Sequence, residues 1–193
     1  LIDAAMRLPV ITRYRQQVVP QAFGEVVEIG VGAGHNLPFY SSGARVVHGI
    51  DPCVELLERA LHRTASCAVQ VELREAHAEQ LPFDDATMHC AVSTFTLCSV
   101  VSPERALSEV RRVLRPGGRL LFAEHGLAPH AGVQHRQRRY RRIWSALAGG
   151  CTLDRPIEQL IREAGFEIPN LAKGYARGPR VLSYVYAGEA VAR

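Results

Sequence analysis

Apolar and polar positions alternate between two periods along this chain. Short apolar runs rich in β-branched residues occupy 25–29, 45–50, 69–74, 88–93 and 119–124, each of strand length and bounded by turn formers. Between them, 52–63 sets Val54, Leu57 and Leu61 on one helical face. A second helix opens with Ser102, Pro103 and Glu104, in the order N-cap, first helical position and acidic first turn. Its stripe is Leu107, Val110 and Leu114, and Pro116, Gly117 and Gly118 stop it. Strands alternating with helices predict an α/β fold, a parallel sheet covered on both faces.

Farther along, Asp154 is read as the N-cap of a helix carrying Ile157, Leu160, Ile161 and Ala164, closed by Gly165. Two final strands are expected at 166–172 and 181–187. The opening segment, 1–22, gathers Ile2, Met6, Val10 and Ile11 on one side, with Pro9 kinking or restarting the helix. The least regular stretch, 125–152, is read as an insertion carrying substrate contacts.

At 193 residues with 47% apolar content, 1–193 fits one domain with a sizeable core. The net charge of +4 is modest, and Lys173 is the one lysine among 23 Lys and Arg residues, so charge alone assigns no partner. Cys53, Cys67, Cys90, Cys98 and Cys151 are odd in number and scattered, which points to a reducing cytoplasm and to no metal site. No apolar run approaches the roughly 18 residues of a membrane span, and Leu1 opens no signal n-region, so a soluble protein is expected. The missing initiator Met leaves room for residues upstream.

Arg136, Arg138, Arg139, Arg141 and Arg142 crowd a helix whose Val133, Tyr140, Trp144 and Leu147 share one side. A solvated face, a peripheral membrane contact with anionic lipid and an anionic acceptor all suit this pattern. Nucleic acid suits it less, because no reader domain is appended and no Asp-Pro-Pro-Tyr-like motif follows the fourth strand.

The candidate chemistry begins where the first strand runs into Gly30, Gly32 and Gly34. Glycine at alternate positions lets the backbone turn sharply and leaves no Cβ in the way of a ligand. A dinucleotide fingerprint would need its third glycine at 35, where this chain has His35, so the diphosphate pattern fails. Asp51 ends the second strand and should reach the same sheet edge, where an ionised acid can accept two ribose hydroxyls at roughly 1.5–3 kcal/mol each. Asp51 before Pro52 also suits an N-cap.

These residues lie in stretches that resemble class I S-adenosylmethionine-dependent methyltransferases of the methyltransferase-11 family, and within it bacterial relatives of the methyltransferase-like thiol methyltransferases. The stretches are VEIGVGAGHNLPFY (27–40), GIDP (49–52), AEQLPF (78–83), STFTLCSV (93–100), EVRRVLRPGGRLLFAEHG (109–126) and GGCTLDR (149–155). The resemblance implies a Rossmann-like three-layer sandwich with seven strands in the order 3-2-1-4-5-7-6, the last antiparallel, and 1–22 as a lid helix. It implies that Glu28, Gly30, Gly32 and Gly34 surround the methionine portion and sugar of S-adenosyl-L-methionine, while Asp51, followed by Pro52, holds the ribose. Ala78 and Glu79 would sit beside the adenine, and the carbonyl around Thr94 would receive the methionine ammonium. Many relatives have an acid where this chain has His77, which leaves Glu79 or backbone to hold the adenine amino group.

Methyl transfer from a sulfonium is an in-line displacement, so the main task is to position a small-molecule acceptor and exclude water. A hydroxyl acceptor needs a general base, a preformed thiolate hardly at all. His125, following the fifth strand, is the candidate base, or else a loop histidine bonded to backbone. His35 is read as local structure and Cys98 as apolar packing. Two other readings stay open, an idle S-adenosylmethionine-binding protein and a nicotinamide-dependent oxidoreductase.

Overall fold

The computed structural model describes residues 3, 6–65 and 67–193. Its seven strands are β1 (Gly24–Ile29), β2 (Ala44–Asp51), β3 (Gln70–Glu75), β4 (Met88–Thr94), β5 (Leu114–His125), β6 (Phe166–Tyr175) and β7 (Tyr184–Ala192). They form one sheet in the order β3-β2-β1-β4-β5-β7-β6, as the resemblance implied. The first five pair in parallel, and β7 runs antiparallel to both β5 and β6.

Successive residues of a strand face opposite ways, and the two faces feed two cores. Val27, Ile29, Leu120 and Phe122 pack on one side with Leu107, Val110 and Ile161. Val26, Val47, Val92 and Leu121 pack on the other with Val18, Leu37 and Ala60. The helices supplying these layers are α1 (Pro9–Val18), α2 (Val54–Thr64), α3 (Pro103–Val113), α4 (Ala131–Leu147) and α5 (Ile157–Glu163). None of the described helices is long and apolar enough to cross a membrane.

Several local expectations shift. In α2, Val54 and Leu61 are 44% and 62% exposed, and the helix is seated by Leu57 of the expected face together with fully buried Ala60. A Cβ on Gly34 would stand 3.1 Å from Ala60 Cα, so two small residues bring the backbones together and the larger apolar ones flank the contact. Ser102 caps α3 as expected, accepting from Arg105 N, but Leu114 already belongs to β5. The Pro116-Gly117-Gly118 segment is a bulge in that strand, since the register jumps from Met88↔Leu114 to Cys90↔Arg119.

Asp154 does not cap α5. That place falls to Pro156, and Asp154 instead pairs with Arg141 at 3.6 Å. The strand expected at 181–187 begins three residues later and runs to Ala192. Most of 125–152 is regular, because α4 spans it and buries Val133 and Gln137. The Gln137 amide serves as an internal clamp, accepting from Ala128 N and donating to the carbonyls of Gly126 and Val181. Pro9 starts α1 at its first turn, where the absent N–H costs nothing. Met6, Val10 and Ile11 then pack with Phe95 and Val185, while Ile2 lies outside the described residues.

Candidate active site

The carboxyl ends of β1, β2, β4 and β5 converge on one edge of the sheet, where open α/β folds bind their ligands. After Ile29 the backbone takes positive φ at Gly30 (+66°), Gly32 (+53°) and Gly34 (+78°). The three glycines do different work. A Cβ on Gly30 would come within 2.3 Å of Thr96 Oγ1 and one on Gly34 within 2.8 Å of Leu37 Cδ1, so both are packing positions. A Cβ on Gly32 would meet nothing nearer than Gly30 O at 3.9 Å and Asp51 Oδ2 at 4.0 Å, so its bare face opens on free space beside the acid.

Asp51 faces that corner directly. Gly32 N donates to Asp51 Oδ2 and Cys53 N to Asp51 Oδ1, both at 2.9 Å. Burial pushes the Asp51 carboxyl up, and these two backbone N–H groups draw it back. The capping possibility is answered by geometry: Cys53 occupies the N-cap of α2 and makes no side-chain cap bond.

Glu28 is buried and is engaged by protein rather than open to a ligand. Asn36 Nδ2 donates to its Oε1 at 2.9 Å and Tyr40 Oη to its Oε2 at 2.6 Å. Desolvation raises its pKa to about 7, held back by these two donors. Asn36 also bonds Thr94 Oγ1 at 3.0 Å, tying the end of β1 to the end of β4. Asn36 and Tyr40 were not singled out from sequence, although both lie inside the 27–40 stretch and carry the polar groups a buried acid requires.

Ala78 is buried. Glu79 Oε1 accepts from Val101 N at 2.9 Å and Ser102 N at 3.1 Å, clasping the segment after β3 to the start of α3. Thr96 Oγ1 donates to the Thr94 carbonyl at 3.3 Å. His35 bonds Asp3 at 2.7 Å, and burial, joined by the Arg15 and Arg63 charges, lowers its pKa against that bond. Arg15, buried on α1, donates to Met6 O and lies 5.7 Å over the Phe95 ring. Its Nε has no partner among the described residues. Desolvation lowers its pKa.

On the β4/β5 side, Glu124 is fully buried and accepts from Ser93 Oγ (2.7 Å), Thr96 N (3.0 Å) and Cys98 N (3.3 Å). Desolvation raises its pKa against these donors. His125 is half-buried, edge-on to Phe95 at 5.0 Å. The cysteines scattered in sequence are not all scattered in space: ligand atoms of Cys98, His125 and Cys151 lie within 4.8 Å of one another. The Cys98 thiol is held up chiefly by donating to Cys151, whose own pKa that bond lowers.

A cavity of about 600 Å³ lined by Glu25, Arg45, His48, Phe83 and Arg115 opens at the other end of the strands, away from this edge.

A sheet of this order, with a glycine corner bonded to the acid that ends β2, is the Rossmann-like fold that solved methyltransferase structures share. Residues 27–122 match the family described as methyltransferase domain, and the chain belongs to that S-adenosylmethionine-dependent family. It is 32% identical over 145 residues to the thiol S-methyltransferase TMT1B of Homo sapiens, covering 73% of this chain and 59% of that one. It is 39% identical over 104 residues to the phosphatidylethanolamine N-methyltransferase of Cereibacter sphaeroides, covering 53% and 51%. The chain spans about half the length of the curated relatives it matches. Among solved structures, a possible histamine N-methyltransferase from Thermotoga maritima shares the fold with a TM-score of 0.69 at 22% identity, over 100% of this chain and 96% of that one.

Proposed function

We propose that this chain transfers the methyl group of S-adenosyl-L-methionine to a small-molecule acceptor, with a thiol favoured over a hydroxyl or amine. The observation that carries the reading is the Gly32 N–H to Asp51 Oδ2 bond beside the open face of Gly32. Each Asp51 oxygen keeps a lone pair beyond its backbone bond, enough for two ribose hydroxyls. Pro52 and Ala78 flank the nucleoside, Glu79 shapes the adenine side through its clasp, and the Thr94 carbonyl receives the methionine ammonium. Glu28, Gly30 and Gly34 support the corner from behind. Arg15 supplies the cation for the methionine carboxylate, which would give its Nε, without a partner among the described residues, an acceptor.

In the reaction the acceptor sulfur forms a bond to the methyl carbon as the sulfonium–methyl bond breaks, leaving S-adenosyl-L-homocysteine. His125, at the mouth of the β4/β5 side, takes the acceptor proton when a neutral acceptor binds. The thiol preference rests on the thiol S-methyltransferases that match 73% of the chain. Residues 1–22 act as the lid and 125–152 as the acceptor side, all within one domain. Localisation is proposed as cytoplasmic.

Calorimetric titration with S-adenosyl-L-homocysteine, followed by a labelled-methyl screen of thiols, phenols and amines, tests this reading. Binding without turnover on any acceptor would favour the idle binder, and binding of a nicotinamide instead would overturn the assignment.

A second reading concerns where the acceptor is met. On α4, Tyr140, Ile143 and Leu147 are exposed beside Arg136 and Arg139, the mix of apolar and cationic groups that settles on anionic lipid. Co-sedimentation with vesicles containing phosphatidylglycerol, and its loss in Arg139→Glu, is expected; equal pelleting with neutral vesicles would remove the lipid role.

A further inference from the structure

Three segments distant in sequence end at one place on the acceptor side. Cys98 lies in the loop after β4, His125 is the last residue of β5, and Cys151 follows α4. We propose that Cys98 Sγ, Cys151 Sγ and a ring nitrogen of His125 bind one thiophilic divalent cation of the zinc type, leaving its fourth position open to a thiol. The cation site stands by itself; the thiol in its fourth position rests on the methyl-transfer reading.

Geometry comes first. The three ligand atoms lie within 4.8 Å of one another, and tetrahedral zinc with bonds of about 2.3 Å to sulfur and 2.0–2.1 Å to nitrogen needs separations of roughly 3.5–3.8 Å. Side-chain rotations closing about 1 Å complete the shell. Both cysteines are buried while His125 is partly open to solvent, which gives an ion a way in.

The surroundings hold the ligands in place. Arg155 donates to the carbonyls of Leu97 and Val100 and to Thr152 Oγ1, binding the Cys98 loop to the segment that carries Cys151. Thr152 N and Oγ1 both donate to the Cys98 carbonyl, at 2.7 and 3.1 Å. Glu124 fixes Cys98 N from below, and Phe95 packs edge-on against the His125 ring. Supported ligands of this kind distinguish a prepared site from a chance meeting of thiols.

Chemistry selects the ion and the ligand. Two thiolates and an imidazole are a soft set that favours zinc over magnesium or calcium. Three protein ligands with one vacancy is the arrangement of reactive rather than purely structural zinc. Binding releases one proton from each cysteine to solvent. A thiol entering the fourth position would lose its own proton to solvent, His125 then serving as a ligand in place of the base it would be in the metal-free site, and would be held as a thiolate at the sheet edge where the methyl donor would lie.

Cobalt(II) is the probe. Reduced protein under argon is expected to bind one equivalent of Co²⁺ with a sulfur-to-cobalt charge-transfer band, which Zn²⁺ then bleaches. Adding 2-mercaptoethanol should raise that band by about half, from two thiolates to three. Cys151→Ser should lower it by about half, and His125→Gln should weaken Co²⁺ binding at least about tenfold while keeping the band, with circular dichroism confirming that each variant is folded. A folded, reduced wild type with no charge-transfer band, a band unchanged in Cys151→Ser, or Cys98 and Cys151 recovered as a disulfide overturns the site. A band that does not respond to 2-mercaptoethanol overturns the open fourth position. Titration of the same sample with S-adenosyl-L-homocysteine keeps failure of the cofactor reading separate, since the cobalt signal does not depend on it.

Discussion

At the ends of β1 and β2 the chain presents backbone: a bare glycine face, an amide N–H and one carboxylate pinned by two amides. At the ends of β4 and β5 it presents side chains instead, with Glu124 anchoring a loop and two cysteines and a histidine meeting in front of it. A backbone cradle suits a ligand that never changes, because its shape follows from φ angles and strand register. A side-chain cluster can be altered one residue at a time without disturbing the sheet, which suits the partner that differs between relatives.

The sharpest way to break this contrast is inside the glycine corner. Gly34→Val puts a branched side chain at φ +78° against Leu37 and Ala60, and should cost about 3–5 kcal/mol of stability, read by urea unfolding. A loss below about 1 kcal/mol would show that α2 yields and that the corner is softer than described.

Next in size is the buried acid behind the corner. Glu28 keeps its proton to about pH 7 when folded, against 4.5 for an ordinary glutamate. The folded state therefore binds more protons within that window, so stability should fall as pH rises through it, by up to about 3 kcal/mol. Glu28→Gln should flatten the slope; an identical pH profile in the variant would reassign it to other groups.

Asp51→Ala should weaken S-adenosyl-L-homocysteine binding by about 1.5–3 kcal/mol, roughly 10- to 150-fold, measured by calorimetry. An unchanged dissociation constant would remove Asp51 from the ribose. The smallest stability effect belongs to Gly32→Ala, about 1 kcal/mol for the positive φ alone. Its methyl group enters the ligand's space, so affinity should drop at least about tenfold while the fold persists. If Gly32→Ala and Gly34→Val lost stability equally, the division of labour between the two glycines would be wrong.

The strands themselves and the glycine corner were legible because both are written locally, whereas the strand order came from the family resemblance. Val26 to Ile29 must be a buried strand, the following glycines must turn, and Asp51 ends the next apolar run. On α2, Leu57 packs as expected but Val54 and Leu61 misled because residue size stood in for contact, whereas Ala60 on Gly34 sets the approach. Asp154 has the chemistry of a cap but met Arg141 across space. The Cys98, His125 and Cys151 cluster was invisible for a plainer reason. Its members are separated by 27 and 26 positions, and no periodicity relates residues that only a folded sheet edge brings together.

The placement of β7 bears on the order in which the molecule is assembled. This strand is inserted between β5 and β6, with Val185 opposite His125 and Tyr186 opposite Glu124. During synthesis the cradle of β1 and β2 can form early, but β5 keeps an unpaired border until residues 184–192 emerge and slot in. The two ends of the sheet edge thus come of age at different times, and under the proposed function the nucleoside side should be in place before the acceptor side.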